Sequence, residues 1–248
     1  MPLNHDHPDS PDPPGTCDTV TVMPLTGPYL PPPQPAAPLL ALEAVPGARA
    51  TTLACQLARQ LADLRGGTAV PTVVHLVPDF VRTWPAMATT GTRRPLPQLA
   101  RHAAGLLDAS DTIRRHLQAG PVIANRHLSS LLVCHAAASG ATISQAQAVL
   151  APVRGYLAIP TRTIYLMTSA QTLRRRLEAK TDLTPFSQGL LHVHGRLEQV
   201  QDHLAVLAAA DQDSVVLDAD GQTPEEIAEE IIRTMQERPA DADMALQT

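Results

Sequence analysis

The chain has 248 residues and a formal net charge of −5, and aromatic residues make up only 2% of it. A chain this long can bury roughly 70% or more of its unfolded surface, which removes the need for a stabilising metal or disulfide framework. The mild acidity gives no electrostatic reason to bind nucleic acid or an anionic membrane, and no run of about 18 apolar residues could span a bilayer.

Cys17, Cys55 and Cys134 are odd in number and far apart, as expected of a chain kept in a reducing cytoplasm. No basic segment followed by an apolar stretch opens the sequence, so a secretory leader is not expected. With so few aromatics the core has to be built from Leu, Val, Ile and Ala. Lysine occurs once, at Lys180, and every other fixed cation is arginine.

Residues 1–37 stand apart. Twelve of the 24 prolines fall in the first 38 positions, including Pro13-Pro14 and Pro31-Pro32-Pro33. Proline fixes φ and removes a backbone donor, so a disordered or polyproline-like arm is expected there. From Pro38 the texture changes. The apolar run from Pro38 to Val45 reads as a buried strand. Leu53, Leu57, Leu61 and Leu64 then recur at helical spacing over 51–65, with Gly66-Gly67 as the stop. Residues 69–77 are β-branched and strand-like, and 78–97 read as an irregular connection rich in turn formers. A helix is expected over 99–117, a strand over 121–125, and a helix over 128–150 with a break at Ser139-Gly140. A strand over 163–167 and helices over 170–179 and 187–209 follow. Val215 to Asp218 form the last strand. Thr223-Pro224-Glu225-Glu226 opens the final helix, with a hydroxyl at the cap and acids beside the positive helix end. The segment 239–248 reads as a frayed tail.

Five short strands alternating with helices predict an α/β fold, a parallel sheet with helices on both faces. Ligands in such folds sit beyond the carboxyl ends of the strands. The residues after each strand are therefore the ones to question.

The first of these turns runs from Ala44 to Thr52. A phosphate loop would read Gly-x-x-x-x-Gly-Lys-[Ser/Thr], and of that pattern only Gly47 and the hydroxyls Thr51 and Thr52 are retained. The wider sequence nevertheless resembles the thymidylate kinase family. Leu42-Glu43 and Thr51-Thr52 match the flanks of that family's loop. Asn125-Arg126-His127 looks like its Asp-Arg-Tyr/Phe element, and Ser129-Ser130 like the serines that follow. Phe186-x-Gln188-x-x-Leu191-x-x-His194-x-Arg196 is similar to the segment after its mobile lid. The resemblance covers about 38–236.

This resemblance implies a three-layer P-loop kinase fold with a five-stranded parallel sheet, a lid at about 174–190, a homodimer, and a transferase acting on a small-molecule nucleotide or related phosphate ester with ATP and Mg2+. By match, Arg126 grips the substrate phosphate, since a guanidinium can donate two parallel bonds to phosphate oxygens. Asn125 stands beside it. Arg174 and Arg176 lie where lid arginines approach the transferred group. Gly47, Arg49, Thr51 and Thr52 form the cofactor loop, with Thr51 at the metal-ligating hydroxyl. Glu43, His127, Ser130 and His194 line the substrate side.

The departures bear on the chemistry. Ala50 replaces the lysine that neutralises the β/γ-phosphates, and Arg49 replaces the second loop glycine. Asn125 replaces an acid. The family's Asp-Arg pair falls near Ala104-Gly105, and its base-contacting tyrosine and glutamine fall at Val133-Cys134. Pro78-Asp79 shows no counterpart of the loop after the second strand. Losing one preorganised charge donor costs about 10²–10³ in rate, so phosphate binding is expected to outlast phosphoryl transfer. A divergent nucleotide enzyme with weakened or replaced transfer is one expectation. A non-catalytic nucleotide- or partner-binding relative and a nucleotide phosphate hydrolase are the alternatives. Cys134 reads as packing. His192 and Arg196 share a face if one helix spans both. Asp211, Asp213, Asp218 and Asp220 read as caps and turns.

Overall fold

The computed structural model describes residues 26–64, 66, 70–76 and 94–237. Five strands, β1 (Leu39–Glu43), β2 (Thr72–His75), β3 (Val122–Asn125), β4 (Arg162–Met167) and β5 (Ser214–Asp218), form one parallel sheet in the order β2-β3-β1-β4-β5. β1 is central and every residue in it is buried. A strand covered on both faces carries a continuous apolar run rather than an alternating one, which is what Leu39-Leu40-Ala41-Leu42 supplies.

Eight α-helices occur among the described residues: α1 (Ala50–Leu64), α2 (Pro95–Leu117), α3 (Leu128–Ser139), α4 (Ile143–Leu150), α5 (Ala170–Glu178), α6 (Pro185–His192), α7 (Arg196–Ala210) and α8 (Pro224–Glu237). Right-handed crossovers put α1 and α8 on one face of the sheet and α2 to α7 on the other, given this strand order. α1 packs on α8, and α3 packs on α4 and α7. Leu53, Leu57 and Leu61 bury one stripe of α1.

Several boundaries differ from the sequence expectation. α2 begins at Pro95, four residues early, because proline at the first turn gives up only an N–H that would be unpaired there. Gly140, at φ 71°, ends α3, and a Thr142–Gln145 capping box restarts the chain as α4. The helix expected over 187–209 is two helices, broken where Gly195 takes φ 74°. His192 therefore ends α6 while Arg196 starts α7, and the shared-face reading of that pair falls away. Thr223 and Glu226 cap α8 reciprocally: Thr223 N donates to Glu226 Oε2 at 2.7 Å and Glu226 N to Thr223 Oγ1 at 3.2 Å.

Most of the Pro-rich arm, residues 1–25, and the tail from 238 lie outside the described residues, as do residues 77–93 of the irregular connection. The end of the arm is anchored. The Gln34 side-chain amide pairs with the backbone of Ile159, donating to its carbonyl at 2.7 Å and accepting from its N–H at 2.8 Å. No helix among the described residues is long and apolar enough to cross a membrane.

Candidate functional site

β1 and β3 are neighbours whose following helices, α1 and α3, leave on opposite faces. Their carboxyl ends therefore flank the crevice where parallel sheets place ligands. Glu43 ends β1 and is 2% exposed. Its Oε2 accepts from His127 N at 3.0 Å, Ser130 N at 2.9 Å and Ser130 Oγ at 2.5 Å, and its Oε1 accepts from Ser129 N at 2.8 Å. The first amides of a helix are unpaired donors carrying partial positive charge. Glu43 thus seats an internal anion at the start of α3, and both its oxygens are engaged.

The next row of the sheet is His75–Asn125–Leu42. Side chains in one row share a face, so His75 and Asn125 both turn toward α1. Asn125 Nδ2 lies 3.0 Å from Thr51 Oγ1 and 2.8 Å from His75 Nδ1. Asn125 Oδ1 is buried and has no hydrogen-bond partner among the described residues. Thr51 and Thr52 are exposed in the first turn of α1. His75 escapes the sequence reading because only the parallel register sets it beside Asn125.

Arg126 follows directly. It holds φ 71°, while its N–H extends the ladder to Leu42 O at 2.8 Å. A non-glycine residue there is strained by about 1–3 kcal/mol. Its guanidinium makes no hydrogen bond or ion pair among the described residues. Burial lowers its pKa below the ordinary arginine value, opposed by the nearby Cys134 and Glu43. Cys134 itself is buried, and burial pushes its thiol up to about 12, so it stays protonated and inert. His127 is 4% exposed, and burial lowers its pKa against the pull of Glu43.

The bend over 44–49 is largely closed. Residues 44–48 are buried, and only Arg49 is exposed. Ala44 N donates to Ser130 Oγ at 3.0 Å and Ala48 N to Val45 O at 3.2 Å. Gly47, at φ 95°, lies so close to α5 that a β-carbon would stand 3.2 Å from Leu173 Cδ2 and from Leu177 Cγ. Arg49 adopts φ 62°.

The lid arginines point along different paths. Arg174 Nη1 donates to Leu191 O at 3.4 Å and Arg176 Nη2 to Ala219 O at 3.0 Å, beyond the end of β5. Burial and then the neighbouring Arg49 charge lower the Arg176 pKa, while Asp220 opposes them. Arg49 and Arg176 thus share one corner. His194 is exposed in the turn between α6 and α7. One cavity of about 600 Å³ lies beside α2, Pro32 and Pro33, and another of about 750 Å³ between α3, α7 and β4. Arg126 lines neither.

No family model matches the chain, and no curated protein sequence does. Solved structures do. A thymidylate kinase from Candida albicans superposes with a TM-score of 0.64 at 14% identity, over 81% of this chain and 92% of that one. A deoxyadenosine kinase from M. mycoides, determined with the product dCMP and a flexible dCDP bound, gives 0.57 at 14% identity, over 81% and 100%. The three-layer α/β architecture with its five-stranded parallel sheet is therefore the P-loop kinase fold.

Proposed function

We propose that the protein binds a nucleoside monophosphate or related phosphate ester through Arg126 and that it does not carry out ATP-dependent phosphoryl transfer. The observation that carries this reading is the Arg126 guanidinium, which is half-buried near the already saturated Glu43 and makes no hydrogen bond or ion pair among the described residues. A buried, unpaired charge is costly, and a phosphate relieves that cost with two short charge-assisted bonds. The backbone strain at Arg126 holds the side chain at the crevice. Both structural neighbours act on nucleosides or nucleotides, which supports the ligand class.

Among the described residues the transfer half of the reaction lacks its metal ligands and its loop lysine. Mg2+ prefers near-octahedral oxygen ligation anchored by one or two carboxylates. Thr51 and Asn125 offer a hydroxyl that already accepts an amide and one neutral carbonyl oxygen. No group of three or more His, Cys, Asp or Glu among the described residues could hold a metal. The position that should carry the β/γ-phosphate lysine is Ala50, 4% exposed. These residues do not fit a magnesium–ATP complex. On this reading Glu43 and Ser130 are scaffold, fixing the start of α3 so that Arg126 and His127 are correctly placed.

Isothermal calorimetry with the nucleoside monophosphates, in EDTA and again in Mg2+, tests the proposal. Saturable binding equal in both buffers is expected, with no ADP in phosphorus NMR when ATP is added. No uptake of any phosphate ester rejects the reading. Production of ADP and a diphosphate restores the kinase.

A further inference from the structure

The cleft of about 750 Å³ between α3, α7 and β4 belongs to the sheet face opposite Thr51. Its volume is that of an ordinary small-molecule site. Thr163 and Tyr165 of β4, Leu132 of α3 and Leu207 of α7 line it, together with His127 and Ser129. His127 Nε2 is buried with no hydrogen-bond partner among the described residues. Buried polar atoms in native proteins are nearly always paired, and an exception wants a reason. Beside it, Ser129 Oγ and Tyr165 Oη are 2.9 Å apart. Burial pushes the Tyr165 phenol well up, so it remains a neutral donor and acceptor.

The charges of the cleft favour neither sign. Arg154 and Arg162 line it, but so do Glu43, Asp211 and Asp213. Glu43 is saturated by the α3 amides, and Asp211 Oδ2 accepts from Tyr165 Oη at 3.4 Å. An anion would meet these carboxylates and a cation would meet the guanidiniums. A slot lined by aliphatic and neutral polar groups, with charges of both signs, suits a flat, uncharged ring with a hydrogen-bonding edge. We propose that this cleft binds an uncharged heterocycle, its ring between Leu132 and Leu207 and its polar edge against His127 Nε2 and the Ser129–Tyr165 hydroxyl pair. The site is separate from the Arg126 edge and does not depend on the phosphate reading.

Nitrogen-15 NMR of labelled histidine, with adenosine and uridine as probes, tests it on the full chain. A saturable shift of the His127 ring nitrogens is expected. Ala210→Trp adds bulk at an exposed cleft-lining position at the end of α7, and should weaken that response at least about tenfold. Leu207→Trp repeats the block from one turn earlier, and circular dichroism verifies folding of both. Arg126→Ala should leave the response unchanged. The proposal is overturned if neither probe gives a saturable shift, or if both tryptophan variants respond as the parent does. Disappearance of the shift in Arg126→Ala would also overturn it, by assigning the probe to the other edge. A stronger response to inorganic phosphate or spermidine would overturn the ligand class.

Discussion

Two bends leave the centre of this sheet for a helix, and each contains an arginine in the left-handed region: Arg49 at φ 62° after β1 and Arg126 at φ 71° after β3. They have opposite fates. The bend after β1 is closed on itself. Its residues 44–48 are buried, one of its amides is bonded within the bend and another to Ser130 of α3, Gly47 is pressed on α5, and Arg49 reaches solvent. After β3 the helix amides are satisfied by Glu43, and the guanidinium is left desolvated without an acceptor. Geometry that favours anions is thus present twice. Only the second bend has a half-buried cation without a hydrogen-bond or ion-pair partner among the described residues, so anion binding is expected there.

The largest expected effect comes from removing the carboxylate that organises the second bend. Glu43→Ala leaves three amides without their acceptor, while the Ser130 hydroxyl retains Ala44 O, and should cost about 3–4 kcal/mol in urea unfolding. Glu43→Gln keeps one oxygen as an acceptor and should cost less than half of that. Equal stability of Glu43→Ala and the parent would remove Glu43 from the scaffold role.

The first bend gives effects of both signs. Gly47→Ala combines positive φ with a contact only 3.2 Å from Leu173 and Leu177, and should destabilise by about 1–3 kcal/mol. Arg49→Gly relieves a left-handed arginine with no buried contact to lose, and should stabilise by about 1 kcal/mol. Adding Ala50→Lys to it should not create ATP affinity, because residue 50 is covered. ATP binding by the double variant in calorimetry would mean that the bend opens.

The buried histidines give a smaller, pH-dependent effect. Burial first, then His135 and Arg101, lower the pKa of His102 from 6.5 to about 4. The unfolded chain therefore binds a proton that the folded chain refuses. Stability is full above pH 6.5 and falls as the pH drops toward 4, by about 1.4 kcal/mol per pH unit for each such histidine. Burial lowers His127 and His135 as well, which steepens the loss. Unfolding curves at pH 7, 6 and 5 should show this decline, and His102→Gln should flatten it by about one proton. An unchanged slope in that variant would contradict the assignment.

The fold was the more legible part. Continuous apolar runs separated by helical periodicity were enough to expect five parallel strands, because a sheet covered on both faces leaves that pattern in each strand. Boundaries failed where a single residue outweighed periodicity, at Pro95 and at Gly195. The surroundings of the candidate site were less legible. Glu43 was visible as an acid before a bend, but its partners lie more than 80 residues away at the start of α3. The Asn125–His75 contact depends on lateral strand order, which short-range pattern does not encode. The Tyr165–Ser129–Asp211 cluster joins three elements far apart in the chain, and no spacing rule links them.

The most direct test sets the two arginines against each other. Nucleoside monophosphate affinity should be measured by calorimetry for the parent, Arg126→Ala and Arg49→Ala, with thermal unfolding of each. The account predicts a loss of about 100-fold or more in Arg126→Ala, since two charge-assisted bonds disappear together. That variant should melt no lower than the parent, because an unpaired, half-buried charge has been removed while the backbone strain at this position is unchanged. Arg49→Ala should bind as the parent does. Unchanged affinity in Arg126→Ala, or its loss in Arg49→Ala instead, would contradict the account.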